Sequence, residues 1–273
     1  MNSTPLSLPM TRGARRSLQA SLLPLAVAVL LAVLPSFMSS YSADLVLRIM
    51  VYAIFALSLE LLVGTTGLVS LGHAGFFGIA AYVTVLASGD NAASVFWLLP
   101  ASMLAAGLYA LVTGALSLRA RGVYFIMVTL AFAQMAYFVF HDTPVGGGSD
   151  GIFLTSRPVL AIGGATLLDL EKSSHMYYLA LACLAGTYAL LAAVLRSRFG
   201  HALAGIRINE QRMRAAGYNT YFYKLAAFVL AAMLAGVAGF LMAAKNGAVN
   251  PELLSWHESG GVLMMIILGG LGS

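Results

Sequence analysis

From Leu61 to Gly89 the chain carries no Asp, Glu, Lys or Arg, yet glycines fall at 64, 67, 72, 75 and 78 within that tract. A membrane-spanning helix needs about 20 apolar residues, so the tract exceeds one span. Each glycine costs a helix interior about 1 kcal/mol relative to alanine, so five of them argue against one uninterrupted helix. Non-helical backbone survives at membrane depth only where protein or a wet cavity satisfies its N–H and C=O groups. Whatever this chain folds into must therefore house a break. Two readings follow from the residues alone. The break lines a transport pathway, as discontinuous helices do in transporters. Alternatively it is a short re-entrant turn whose glycines serve close helix–helix contact.

Composition sets the setting of that break. Of the 273 residues, 60% are hydrophobic and 9% charged, where a soluble domain carries about 25% charged residues. The mean hydropathy is +0.89. The expected fold is an all-α polytopic transmembrane bundle with eight spans, at about 18–38, 45–63, the broken segment through Ser88, 95–117, 122–140, 176–195, 221–244, and from 259 onward. The first apolar stretch exceeds a signal-peptide core and lacks a clean cleavage site, so it is expected to be retained. Residues 1–17 then form a basic cytoplasmic N-terminus and 18–273 a single transmembrane domain, with an outer loop at 141–175 and an inner loop at 196–220.

The charges test this threading. With the N-terminus inside, Arg12, Arg15, Arg16, Arg119, Arg121, Arg196, Arg198, Arg207, Arg212, Arg214 and Lys224 fall on the cytoplasmic side. Arg157, Lys172 and Lys245 fall outside, and Arg48 lies within a span. This is the positive-inside asymmetry. The formal charge of +5 therefore reflects membrane sidedness, and no nucleic-acid partner is expected.

Catalytic chemistry has little to stand on. There is no G-x-x-x-x-G-K-[ST] loop to cradle a nucleotide phosphate. The only cysteine is Cys183, and the histidines at 73, 141, 175, 201 and 257 show no metal-ligand spacing. No catalytic residue, metal or bound cofactor is expected. Glu60 is the only acid well inside a span, one turn before Gly64. A charge at mid-bilayer costs about 3 kcal/mol or more, so such residues face a bundle interior or a cavity. The candidate pathway residues are Glu60, Gly64, Gly67, Ser70, Gly72, His73, Thr129 and Gln134. Each also has a structural reading: His73 as a hydrogen-bonded core residue, Thr129 and Gln134 as bonds across helices. In the inner loop, Asn209 can cap a short helix through Ala216, with Gly217 in the left-handed position beyond its end. Such a helix docks another protein or lies on anionic lipid.

The run Leu62-Val-Gly-Thr-Thr-Gly-Leu-Val-Ser-Leu-Gly-His-Ala-Gly-Phe-Phe-Gly-Ile-Ala-Ala-Tyr82 resembles the signature of the LivM-type permeases, membrane subunits of branched-chain amino acid ABC importers. Four further stretches agree in order: Arg121–Leu130, Gly147-Gly-Ser-Asp-Gly151, Phe199–Glu210, and Tyr223–Phe228 onward to the Gly-Gly-Leu-Gly-Ser ending. The resemblance implies an inner-membrane permease for branched-chain amino acids, paired with a LivH-type permease. It implies two separate ATPase subunits carrying the ATP and Mg, and a periplasmic binding protein that delivers the solute. Relatives that move urea, short amides or aromatic acids, and an ATP-independent channel, are the alternatives. By the same resemblance Arg207, Asn209, Glu210, Arg214 and Gly217 belong to the element that sits in the ATPase, and Gly148, Ser149, Asp150 and Gly151 to an outer-loop motif. Arg212 and Met213 depart from the small residues common in the family's coupling pattern. That pattern also continues beyond Ser273, which implies a further span or two.

Overall fold

The computed structural model describes residues 26–36, 38–89, 94–162, 165–170 and 172–270. The predicted cytoplasmic N-terminus and the start of the first predicted span lie outside the described residues. Residues 26–33 are helical and end in a 3-10 turn, Leu34–Ser36. Among the described residues, five stretches are long and apolar enough to cross a membrane: Ser40–Thr66, Val95–Ser117, Val123–Asp142, Ser173–Arg196 and Thr220–Asn246. The first consists of helix α1, Ser40–Glu60, continued by a π-helical turn, Leu61–Thr66. The others are α3 (Val95–Ser117), α4 (Val123–Asp142), α5 (Ser173–Arg196) and α8 (Thr220–Asn246). Two shorter helices accompany them, the apolar α2 (His73–Ser88) and α9 (Trp256–Gly269). The inner loop folds into α6 (Arg198–Ile208) and α7 (Glu210–Ala215). The fold is thus an all-α membrane bundle.

Helix α8 is its axis, and its sequence explains why. Ala231, Ala232, Ala235, Gly236, Ala238, Gly239, Ala243 and Ala244 give it a slim, buried surface against α1, α2 and α3. Lipid tails are as apolar as leucine, so membrane helices associate through close van der Waals contact that small residues permit. A Cβ added at Gly239 would strike the carbonyl of Phe77, and one at Gly236 would stand 3.1 Å from Met103 Cα. Aromatic rings fill what the small residues leave. Phe55 stacks on Phe77 at 4.7 Å, and Phe76 meets Phe228 edge-on at 5.3 Å. Thr84 Oγ1 and Ser102 Oγ lie 2.9 Å apart across α2 and α3, and each is also within hydrogen-bond reach of a carbonyl of its own helix, Ala80 O and Leu98 O.

The break is narrower than five glycines suggest. Gly64 sits in the π-helical turn, Gly75 and Gly78 sit inside α2, and the non-helical stretch runs only from Gly67 to Gly72. Tertiary contact overrides helix propensity here. A Cβ at Gly78 would stand 2.5 Å from Leu254 Cγ, and one at Gly75 would touch Ala133 Cα at 3.5 Å. Only Gly67 of the five needs a positive φ, at 71°.

The two ends of the bundle differ in character. At one end the strands β1 (Ile152–Phe153) and β4 (Ala248–Val249) pair antiparallel, with Ile152 opposite Val249. Beside them β2 (Val159–Ile162) and β3 (Ala165–Asp169) form a hairpin, and Ser94 bridges to Val159. At the other end the 118–122 turn, the π-helical turn and residues 206–224 surround one cavity that collects Arg119, Arg121, Arg207, Arg214 and Lys224. Among the described residues, Arg157 and Lys245, which the threading assigns to the opposite side, line a different cavity.

Candidate functional site

Side chains as well as backbone close the π-helical turn. Here the side chains of Thr65 and Thr66 donate to Leu61 O and Leu62 O, four residues back. The N–H groups of Gly67 and Leu68 also turn back onto Leu62 O. The carbonyl of Gly64 is satisfied from elsewhere: Arg207 Nη1 donates to it across 143 residues of sequence. Gly67 follows at a φ of 71°, with Arg207 Cγ in ordinary van der Waals reach, 3.5 Å from where a Cβ would stand. On the other side of the turn the Glu60 carboxylate lies where a Cβ on Gly64 would be. Thus one arginine at the end of α6 holds the π-helical turn, and the absent side chain of Gly64 makes room for Glu60.

Arg207 opens onto the inner cavity, about 610 Å³, whose wall includes Thr66, Gly67, Arg119, Arg121, Glu210 and Lys224. Glu210 organises the cations around itself. Its carboxylate accepts from Arg214 Nη2 at 2.5 Å, Lys224 Nζ at 2.7 Å and Thr220 Oγ1 at 3.0 Å. Burial pushes its pKa up, but the hydrogen bond and charge of Lys224, helped by Thr220 and Arg214, outweigh burial and lower it to about 2. Helix α7 starts as the sequence implies: Asn209 Oδ1 accepts from Arg212 N at 2.9 Å. It ends with Gly217 N to Arg214 O at 2.9 Å and Tyr218 N to Met213 O at 3.1 Å, with Gly217 at φ 87°. That double closure is a Schellman motif. The loop is a rigid capped element tied to α8 by Glu210 and to the broken span by Arg207.

The remaining predicted pathway residues divide. Ser70, His73 and Thr129 are buried within packing. Ser70 Oγ accepts from Gly72 N at 3.3 Å, and Thr129 Oγ1 donates to Ile126 O at 2.9 Å. A Cβ at Gly72 would overlap the Thr129 carbonyl. His73 lies 5.5 Å from Phe55 in a stack, with Nε2 2.9 Å from Ser58 Oγ. Since Ser58 donates its proton to Phe55 O at 2.6 Å, Nε2 is the donor in the second contact. His73 is thus a hydrogen-bonded, buried core residue. Gln134 stands apart from all of these, in the wall of an outer cavity of about 440 Å³ with Tyr137, Glu252, Ser255, Trp256, His257 and Glu258.

The outer-loop motif is architectural at its glycines. Gly148–Asp150 forms a 3-10 turn between Gly147 and Gly151, both at positive φ, and a Cβ on Gly151 would strike Val249 O. Ser149 Oγ contacts Asp150 Oδ1 at 3.2 Å, and both residues are exposed.

Sequence reasoning missed three things. Helix α6 is capped by Ser197, whose side chain accepts from Gly200 N. The N-terminus of α2 is capped from afar, with Ala74 N donating to Ser259 Oγ at 2.8 Å. The outer cavity draws on α4, α9 and the 3-10 segment Pro251–Leu254, and no single stretch of sequence announces it.

Comparison with known proteins agrees with this architecture. The family described as the permease component of branched-chain amino acid transport systems matches residues 41–273. The high-affinity branched-chain amino acid transport system permease protein LivM of Salmonella typhimurium is 30% identical over 268 residues, covering 91% of this chain and 63% of that protein. LivM of Escherichia coli is 30% identical over 267 residues with the same coverage. The chain therefore spans less than two thirds of the length of these relatives. No solved structure matches it.

Proposed function

The chain belongs to the family of permease components of branched-chain amino acid transport systems, and on that premise we propose that it is the membrane subunit of an ATP-driven, binding-protein-dependent importer of branched-chain amino acids. In this reading it lies in the inner membrane with its N-terminus cytoplasmic. It pairs with a LivH-type permease, receives solute from a periplasmic binding protein, and is driven by two ATPase subunits that carry ATP and Mg. The residues 207–217 seat in the ATPase, and the Gly67–Gly72 break is the element they move.

One observation carries the coupling: Arg207, at the base of that inner loop, donates to Gly64 O in the turn that precedes the break. A displacement of α7 by an ATPase is passed through Asn209 to the guanidinium of Arg207 and so to the π-helical turn. A flexible link would dissipate such a displacement, whereas discrete, packed elements transmit it. Here α7 is closed at both ends, and its Glu210 is fastened to Lys224 on α8.

The test is uptake of labelled leucine by the reconstituted importer. Arg207→Ala lowers ATP-driven uptake at least tenfold while basal ATP hydrolysis persists, and Arg207→Lys retains part of the uptake. Unchanged uptake at equal expression overturns the coupling role. Passage of leucine down its gradient through the chain alone would overturn the ATP-driven reading.

A further inference from the structure

The outer cavity holds hydrogen-bond acceptors that the fold consumes only in part: Tyr52 donates to one oxygen of Glu258, Asn250 to one oxygen of Glu252, and Gln134 Oε1 has no protein partner. Ser255-Trp-His-Glu258 reads as a capping box, in which the serine side chain bonds the helix and the glutamate folds back onto the cap. Neither side chain behaves so. Ser255 makes no side-chain capping bond, and Glu258 is held from another helix by Tyr52, whose hydroxyl donates to Glu258 Oε2 at 3.1 Å. A local rule is given up here, and such departures concentrate at functional sites. Across the cavity Gln134 Oε1 is buried with no protein hydrogen-bond partner. A buried acceptor left unmade costs about 1–3 kcal/mol. Gln134 lies eight residues before Asp142, the end of α4, so it stands roughly 12 Å below that end at 1.5 Å per residue.

The wall carries two carboxylates and one imidazole, and the Arg48 guanidinium lies 5.9 Å from the ring of Tyr52, the residue that donates to Glu258. Glu252 and Glu258 both line it, and no Lys or Arg does so among the described residues. Two carboxylates and an unpartnered amide oxygen form a receptor for a cation that donates several hydrogen bonds. A primary ammonium offers three such donors on a compact charge. The indole of Trp256 beside them supplies an apolar and cation-attracting face.

We propose that this cavity binds the solute's ammonium group during passage, with Glu258 and Gln134 as the contacting residues and Tyr52 as the residue that positions Glu258. The proposal rests on the importer reading above for its solute, and on the cavity alone for its chemistry. An uncharged amide would use the acceptors without needing the carboxylate charge, so charge removal separates the two ligand classes.

Trp256 supplies the probe, because the chain has two tryptophans, Trp97 and Trp256. In lipid nanodiscs, full-chain Trp97→Phe protein is titrated with leucine, with isopentylamine, which lacks the carboxylate, and with 4-methylpentanoate, which lacks the ammonium. The expected result is a saturable change in Trp256 fluorescence with the first two and none with the third. Glu258→Gln weakens that response at least tenfold, and Glu258→Asp restores part of it. Tyr52→Phe weakens it less than Glu258→Gln while leaving the carboxylate in place. An absent response, an equal response to 4-methylpentanoate, or indifference to Glu258→Gln overturns the proposal. Wild-type uptake of leucine in the assembled importer is measured alongside. Uptake without the fluorescence response removes the cavity and leaves the importer standing, and ammonium binding without any uptake does the reverse.

Discussion

At the residue scale, Glu210 shows how a few atoms can hold a surface element in place. Its folded pKa lies below the ordinary carboxylate range, at about 2, because Lys224, Thr220 and Arg214 overcome the effect of burial. A depressed carboxylate pKa contributes stability above its unfolded value and loses that contribution as pH falls through the folded value. Hydrogen exchange over residues 207–220, corrected for intrinsic rates, is therefore expected to stay constant from pH 8 to 5 and to rise only in acid, towards about 2. Glu210→Gln is expected to raise exchange throughout that range. Ser259 offers a second prediction. Removing a side-chain cap costs about 1 kcal/mol, so Ser259→Ala should lower Tm by roughly 2–4 °C in a chain of this size, measured by thermal unfolding in detergent. Asn209 and Gly217 were legible in the sequence because a cap and its helix are neighbours. Ser259 was not, because its partner Ala74 is 185 residues away. Glu258 was hidden by a pattern that pointed to its own helix, while its true partner, Tyr52, is 206 residues distant.

At the scale of elements, glycines in apolar tracts do different work. Gly72 fits against the Thr129 carbonyl, whereas nothing stands within 4 Å of where a Cβ on Gly261 would lie. Gly72→Ala is accordingly expected to lower the yield of folded protein sharply, and Gly261→Ala to leave it unchanged, as judged by size-exclusion profiles at equal expression. Gly67 belongs to neither class. Its Cβ would meet only Arg207 Cγ, but its φ of 71° costs an L-residue about 1–2 kcal/mol. Gly67→Val should therefore fold and fail in leucine uptake, and normal uptake would remove the break from the transport cycle. The presence of a break was readable from five closely spaced glycines. Its true limits depended on which glycines α4 and the 251–254 turn press against, and a one-dimensional pattern does not carry that.

At the scale of the molecule, the segregation of basic residues is a statement about orientation that labelling can test. In a Cys183→Ala background, a membrane-impermeant thiol reagent applied to spheroplasts should modify Lys172→Cys and spare Arg121→Cys, with the reverse in inverted vesicles. The opposite result would turn the whole threading over. The class of fold was present in the composition and in the length of the apolar tracts, since a bilayer imposes its own length and polarity on any chain that crosses it, and the sides of the loops are what the labelling decides. What charge spacing did not show was the convergence of α4, α9 and the 251–254 turn on one cavity. The same distance in sequence has a consequence in time. Helix α2 owes one of its first N–H bonds to a hydroxyl that follows it by 185 residues, and ribosomes add about 5–20 residues per second. For roughly 10–40 s of its synthesis the nascent helix has no Ser259 to close it. Its final seating therefore belongs among the last events of biogenesis, and a pause or truncation before Ser259 would leave the first half of the bundle threaded but unlatched.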